Sequence, residues 1–133
     1  MSVYALDTNT VSYLLQKRER VTQKLSDTIS QGHFVRIPPI VYYEIRRGLL
    51  YKNAISKNAS FLDLYAELGI DSIDRNTLEI AARTYAYLRK SGQLIEDTDI
   101  LIAAYCIRND YILVTNNVKH FNTIRGLDYV NWL

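Results

Sequence analysis

Residues 111–115 form an uninterrupted run of apolar and β-favouring side chains, and they follow a segment, 100–107, that is apolar on almost every side. A strand that is apolar on both faces is typical of a sheet covered by helices on both sides. A helix with no polar face is typical of a buried helix. Together the two segments predict an α/β domain with a covered sheet and at least one helix inside its core.

Strand-like and helix-like segments alternate along the rest of the chain. Strands are predicted at residues 3–6, 34–37, 70–73 and 111–115, with a small edge strand within 128–133. Helices are predicted at 8–16, 18–30, 40–53 and 58–68, then around the apolar residues of 78–88 and of 100–107, with a short helical turn at 118–121. A capping box of Asn76 and Glu79 is expected to open the helix of 78–88. This alternation predicts a doubly wound, three-layer α/β/α fold with a central, mainly parallel sheet and right-handed crossovers.

The overall composition restricts the class of protein. The 133 residues are enough for a single domain spanning 1–133. A net charge of +2 is too mild to imply a nucleic-acid partner by charge alone. The single cysteine, Cys106, excludes an intrachain disulfide and fits a cytoplasmic, reducing location. No apolar run approaches the roughly 18 residues of a membrane span, and no signal peptide is recognisable, so no membrane association is expected.

Acidic side chains occur at three places where a carboxylate is unusual. Asp7 directly follows the first predicted strand, Glu44 lies within the apolar half of the helix at 40–53, and Asp99 lies in the first turn of the buried helix. Asp7 could simply cap the next helix, but Thr8, Asn9 or Thr10 would suit that role better. The carboxyl ends of parallel strands form the ligand crevice of an open α/β sheet. We therefore expect the three acids to share one site.

Three carboxylates gathered in apolar surroundings repel one another unless a cation neutralises them. Ligands that are all carboxylate oxygens suit a hard ion, Mg²⁺ or alternatively Mn²⁺, rather than zinc. Such an ion keeps several waters and is completed by phosphate oxygens of a substrate, which points to phosphodiester hydrolysis. Spacing alone leaves open whether one ion or two are bound.

Four motifs occur in order at the ends of predicted strands and helices. They are Leu-Asp-Thr-Asn at 6–9, Tyr-Glu-Ile-Arg-Arg-Gly at 43–48, Asp-Ile-Leu-Ile-Ala-Ala at 99–104, and Leu-Val-Thr-Asn-Asn at 113–117 followed by His120 and Phe121. This arrangement resembles a PIN domain of the VapC toxin type, from VapBC type II toxin–antitoxin systems. The resemblance implies a metal-dependent endoribonuclease. It also implies metal ligation by Asp7 and Asp99, with Glu44 reaching the metal or its water.

The resemblance also implies partners. A small VapB-like antitoxin would bind and inhibit the chain, and DNA would be contacted only indirectly, through that antitoxin. Eleven tyrosines offer large amphipathic surfaces for such contacts. A group of them, Tyr42, Tyr43, Tyr51 and Tyr65, indicates an interface with the antitoxin or within a homodimer.

One position departs from the family pattern. Many members carry a fourth acid where this chain has Asn117, and a neutral amide should hold a second ion less tightly. Asparagine at this position also resembles a branch of the family that cuts initiator transfer RNA, so activity is expected and transfer RNA is one candidate substrate. The expected catalytic set is Asp7, Glu44, Asp99 and Asn117. Asp97 is expected to cap its helix rather than to replace the fourth acid.

Other polar residues near the motifs have two interpretations each. Thr8, Asn9 and Thr115 could position Asp7 or a metal-bound water, or could cap helices and turns. His120 could assist the leaving group, although a structural role is the simpler interpretation. Arg46 and Arg47 could contact phosphate or an antitoxin carboxylate, or could belong to a solvated helix face. His33, His120 and Cys106 are too scattered for a zinc site.

Two other functions compete with a ribonuclease. One is a non-catalytic PIN-fold module that binds nucleic acid or another protein, which predicts replacement of the acids, yet all three are present. The other is a phosphoryl-transfer or receiver domain that uses Asp7 as acceptor. A phosphatase of that type would need a second Asp where Asn9 stands, and a receiver would need an acidic pair at its first strand. The favoured function is a Mg²⁺-dependent endoribonuclease toxin.

Overall fold

The computed structural model of the chain describes residues 1–133. In chain order its elements are β1 (Val3–Leu6), α1 (Thr8–Leu15), α2 (Glu19–Ser30), β2 (Phe34–Arg36), α3 (Pro39–Tyr51), α4 (Ile55–Leu68), α5 (Arg75–Lys90), α6 (Asp97–Asn109), β3 (Ile112–Val114), α7 (Val118–Phe121) and β4 (Tyr129–Val130). None of these helices is long and apolar enough to cross a membrane.

The four strands form one sheet in the order β2-β1-β3-β4, and every pair is parallel. Tyr4 of β1 lies opposite Val35 of β2 on one side and Ile112 of β3 on the other. The predicted α/β class with a parallel sheet is therefore confirmed. Because β1 and β3 are central neighbours, the carboxyl ends of two strands more than a hundred residues apart in sequence meet at one sheet edge.

The most buried helix is α6, as its apolar sequence predicts. Its residues Ile100 and 102–106 are buried, and Leu101 and Ile107 are partly buried against the core. Cys106 is fully inaccessible, and burial, with a smaller contribution from the charge of Asp7, raises the pKa of its thiol. Cys106 is thus a core residue, and α6 is a rigid support for the acid in its first turn.

The prediction of a strand at residues 70–73 is wrong. This segment is an irregular connection between α4 and α5 and pairs with no strand. Ile70 is 79% exposed, and the carboxylate of Asp71 accepts hydrogen bonds from the amide of Ser72 and the hydroxyl of Tyr105. These residues pair with no strand of the sheet, because tertiary context outweighs their local β-propensity.

Two helices begin earlier than their sequence patterns predict. Helix α4 starts at Ile55 rather than near 58, because Asn53 takes a left-handed conformation (φ 52°) and ends α3 within a three-residue turn. The cap of α5 is Asp74 and not Asn76. Its Oδ1 accepts hydrogen bonds from the amide and the hydroxyl of Thr77, both at 2.8 Å, while Glu79 pairs with Arg83.

We expect Asp74→Ala to lower the melting temperature at neutral pH. The amide of Thr77, then its hydroxyl and Arg108, hold the pKa of Asp74 below its usual value. A depressed folded-state pKa contributes stability above the unfolded pKa, near 3.9, and that stability is lost as the pH falls through the folded value. The deficit of Asp74→Ala measured by thermal melts should therefore shrink in acid. Asp74→Asn keeps an N-cap acceptor and should lose less; an equal loss for both would contradict the capping role.

Candidate active site

Asp7 lies where β1 ends and α1 begins. Its amide donates to the carbonyl of Val114 at 2.9 Å, which fixes it against the end of β3. Its carboxylate, on a residue only 4% exposed, accepts the hydroxyl of Thr115 on Oδ2 at 2.7 Å and the amide of Thr8 on Oδ1 at 2.8 Å. Asp7 is also the N-cap of α1, so assigning that cap to Thr8, Asn9 or Thr10 is wrong.

Glu44 projects from α3 toward the same strand ends. Its Oε1 accepts a hydrogen bond from the hydroxyl of Thr8 at 2.7 Å, and its side chain is 16% exposed. The guanidinium of Arg47, one turn later, lies 3.8 Å from Oε2 and is itself 55% exposed. Thr8 therefore links two of the predicted acids through consecutive contacts, its amide to Asp7 and its hydroxyl to Glu44.

Asp99 lies in the first turn of α6, and its side chain is 15% exposed. Its Oδ2 is 2.8 Å from Nδ1 of His120, and the same nitrogen is 2.8 Å from the side-chain amide nitrogen of Asn117. Nδ1 serves one partner at a time, because as N–H it donates to Asp99 and as a bare nitrogen it accepts from Asn117. The backbone amide of Asn117 donates to the hydroxyl of Thr115, which connects this group to Asp7.

The acids influence one another electrostatically. Burial is the main cause that raises the pKa of Asp7 above its usual value, and the hydrogen bonds from Thr115 and Thr8 oppose that rise. The charges of Asp99 and Glu44 raise the pKa of Asp7 further. The carboxylate of Asp7 is thus costly to ionise although both of its oxygens accept hydrogen bonds. A nearby positive charge would stabilise its ionised form.

The remaining predicted residues divide between those the site contains and those it excludes. Thr8 and Thr115 are positioning residues for the acids, whereas Asn9 is exposed and has no side-chain contact. Asp97 is the exposed first residue of α6, and Glu96 holds the N-cap position, so the predicted capping role of Asp97 is wrong. Arg46 donates to the side chain of Asn58 at 2.6 Å and ties α3 to α4 instead of facing the acids.

Sequence reasoning underestimated His120 and overlooked Asn116. His120 joins Asp99 through α7, a contact that the three-residue turn after β3 creates and that no spacing rule anticipates. The side-chain amide of Asn116 donates to the hydroxyl of Tyr13, while its Oδ1 is buried without a donor. In sequence Asn116 is one of two adjacent asparagines after a strand, and that context is typical of an ordinary turn.

The donor set fits a hydrated hard ion. No three Asp, Glu, His or Cys side chains are close enough to complete a ligand set by themselves, which is unlike a closed structural zinc site. Mg²⁺ is commonly bound through one or two carboxylates and retains several waters. The carboxylates of Asp7 and Asp99 are of the kind that such an ion takes, and its remaining positions would be filled by water.

This fold and this arrangement of acids define the class of protein. The sequence pattern of the PIN domain matches residues 4–127, and the chain belongs to the PIN-domain family. Relatives within that family carry the name Ribonuclease VapC. Ribonuclease VapC2 of Rickettsia felis is 28% identical over 131 residues, covering 98% of each chain, and Ribonuclease VapC19 of Mycobacterium tuberculosis is 31% identical over 97 residues, covering 73% of this chain and 74% of its own.

The solved structures agree with this assignment. The crystal structure of VapBC2 from Rickettsia felis bound to a DNA fragment from their promoter contains a chain that is 27% identical. It aligns with a TM-score of 0.89 over 98% of this chain and 99% of that one. The VapC-type resemblance inferred from the four motifs is thereby confirmed.

Proposed function

We propose that this protein is the toxin of a VapBC-type toxin–antitoxin pair and acts as a divalent-metal-dependent endoribonuclease in the cytoplasm. The observation that carries the proposal is the meeting of Asp7, Glu44 and Asp99, from three different elements, at the carboxyl ends of β1 and β3. The names of the VapC relatives support ribonuclease activity. A non-catalytic PIN module could keep Asp7 as the N-cap of α1, but it would not require Glu44 and Asp99 close enough to raise the pKa of Asp7.

In this proposal Asp7 and Asp99 hold the ion and Glu44 reaches it or one of its waters. When bound, Mg²⁺, or alternatively Mn²⁺, supplies Lewis-acid polarisation of the scissile phosphodiester. The chain's own contribution is preorganisation, because Thr115 and Thr8 fix the carboxylate of Asp7 through both of its oxygens. His120 orients Asp99 in the same way through Nδ1.

Asn117 is the fourth member of the proposed catalytic set. Its side-chain amide and the carboxylate of Asp99 lie against the same nitrogen of His120, and its backbone amide donates to the hydroxyl of Thr115, which contacts Asp7. An uncharged amide here would leave a second ion weakly held. We infer that one ion binds more tightly than any other.

The proposed partners are a VapB-like antitoxin, an RNA substrate and a second copy of the chain. Transfer RNA is the first substrate to test, and DNA contact would be made only through the antitoxin. Not every tyrosine in the predicted interface group is available: Tyr65 is only 8% exposed and lies 4.7 Å, centroid to centroid, from Tyr42 in the core. Tyr43 and Tyr51 are 57% and 89% exposed and are the members left for an interface.

We expect the purified chain to cleave RNA in the presence of Mg²⁺ or Mn²⁺ and to lose that activity when EDTA removes the ion. The reason is that the acids provide no other source of electrophilic assistance at the phosphate. Cleavage of total RNA and of bulk transfer RNA would be followed on denaturing gels, with excess Mg²⁺ restored after EDTA as the control. Cleavage that persists in EDTA would contradict metal dependence.

A further inference from the structure

A cavity of about 270 Å³ adjoins the acidic site between α1 and α3. Thr8 and Glu44 form one end of it, and they are also members of the site described above. Lys52 and Lys57 also line the cavity, and because Glu44, Gly48 and Lys52 follow one another at intervals of four residues, Gly48 lies between Glu44 and Lys52 along the helix. The cavity is therefore a continuation of the site and has a carboxylate at one end and two ammonium groups at the other.

The two lysines have no partner within the chain. Lys52 directly follows α3, and Lys57 lies in the first turn of α4; both are exposed. Neither ammonium group takes part in any ion pair of the chain, and neither donates a side-chain hydrogen bond. Their charges are thus free to meet an anion from outside.

Gly48 keeps the space between the two ends open. A glycine inside a helix destabilises it relative to alanine. Its φ is not in the left-handed region, and a Cβ built on it meets no atom within 4 Å. Neither backbone conformation nor a close neighbour therefore requires glycine at this position. The absence of a side chain at Gly48 leaves room in the wall of the cavity.

We propose that this cavity binds the nucleotide next to the scissile phosphodiester of a single-stranded RNA, with its phosphate against Lys52 and Lys57. The inference rests on the proposed ribonuclease function, because a strand whose scissile phosphate lies at the acids continues into the adjoining cavity. A carboxylate-rich peptide could also meet the lysines, and the test below distinguishes it from RNA. RNA is favoured because the proposed function already brings one phosphate to the acids, where a bound ion would neutralise their charge, and the lysines would then attract the next phosphate of the strand.

The test is RNA binding measured in an Asp99→Asn background, so that the probe stays intact. Fluorescently labelled oligo(U) and bulk transfer RNA are titrated in Mg²⁺ over a range of salt concentrations. The double variant Lys52→Gln with Lys57→Gln should bind severalfold more weakly. The slope of log affinity against log salt should become less steep by about 0.7 for each phosphate that the lysines no longer neutralise. Gly48→Leu should weaken binding with little change in that slope.

Matched variants separate the cavity from general effects. Lys24→Gln removes an exposed lysine of α2 outside the cavity and should leave both affinity and slope unchanged. Gly48→Ala should bind normally and melt no lower than the parent, which shows that weaker binding by Gly48→Leu comes from filled space. If Gly48→Leu does not fold, the lysine variants decide the question alone.

The outcomes distinguish this inference from the proposed function. Suppose that the double lysine variant binds RNA with unchanged affinity and slope, while the native chain shows metal-dependent cleavage. That result would contradict RNA binding by the cavity and would still support the ribonuclease function. Lysine-dependent RNA binding without any cleavage would show that the cavity binds RNA, but it would overturn the ribonuclease and with it the claim that the bound nucleotide lies next to a scissile phosphodiester. If the double variant loses binding to poly-glutamate but not to RNA, the cavity is a peptide groove and the inference is wrong.

Discussion

Asp99→Asn is expected to reduce metal-dependent RNA cleavage by more than about 100-fold, which exceeds the 10–100-fold typical of residues outside the ligand shell. The substitution keeps the size of the side chain and an oxygen that can face His120, but removes the charge proposed to hold the ion. Initial rates of cleavage at saturating Mg²⁺ would be compared with the native chain. A parallel titration of Mg²⁺ would show whether part of the activity is recovered at high ion concentration.

The matched control is Asp97→Asn. Asp97 lies two residues earlier in the same first turn of α6 and loses the same charge, but it is exposed and has no contact with His120. A general electrostatic effect on RNA binding would change the cleavage rates of both variants by the same factor. Comparable losses in the two variants, or near-native cleavage by Asp99→Asn, would refute the assignment of Asp99.

Asp7→Asn is expected to make the metal-free protein more stable at neutral pH. The folded-state pKa of Asp7 is raised, chiefly by burial, so its contribution to stability is fully present below the unfolded pKa and is lost as the pH rises through the folded value. Asparagine does not titrate, and its oxygen still accepts the amide of Thr8. The melting temperature should rise by a few degrees, the scale that a change of about 1 kcal/mol produces in a small domain.

The same variant should no longer respond to metal. If Mg²⁺ binds the folded native chain through Asp7, as proposed, it should raise the melting temperature of that chain and not of Asp7→Asn. The gain of Asp7→Asn in metal-free buffer should shrink as the pH falls toward the unfolded pKa, near 3.9, and disappear well below it, where the native carboxyl is protonated in both states. Asp63→Asn, an exposed change on α4, is the control. A lower melting temperature for Asp7→Asn at neutral pH would show that the hydrogen bonds of the carboxylate outweigh its burial.

Apolar periodicity was enough to predict most of the fold. Uninterrupted apolar runs indicate buried segments, and such runs predict β1, β3 and the buried helix α6. Residues 70–73 look equally strand-like, yet they pair with no strand, and which segments reach the sheet is a property of the whole fold. The short helix α7 was expected, but its contact with α6 depends on the path of the turn before it.

The site was predictable to the extent that it follows strand and helix ends. Asp7, Glu44 and Asp99 were found because carboxylates in apolar surroundings are costly and need a shared explanation. The contacts of Thr8 and Thr115 with the acids were only one of two interpretations, since a threonine after a strand is equally typical of a cap. The contact between His120 and Asp99 joins side chains 21 residues apart, and only tertiary packing brings them together.

The adjacency of β1 and β3 has a consequence for when the site can form during synthesis of the chain. Asp7 is held in place by Val114 and Thr115, which leave the ribosome more than a hundred residues after it. During synthesis the amino-terminal part of the chain carries two of the acids but cannot yet orient them. Contacts this distant in sequence are slow to form. A nascent or truncated chain therefore lacks the contacts that orient Asp7, and we expect the proposed nuclease activity to require β3 docked beside β1.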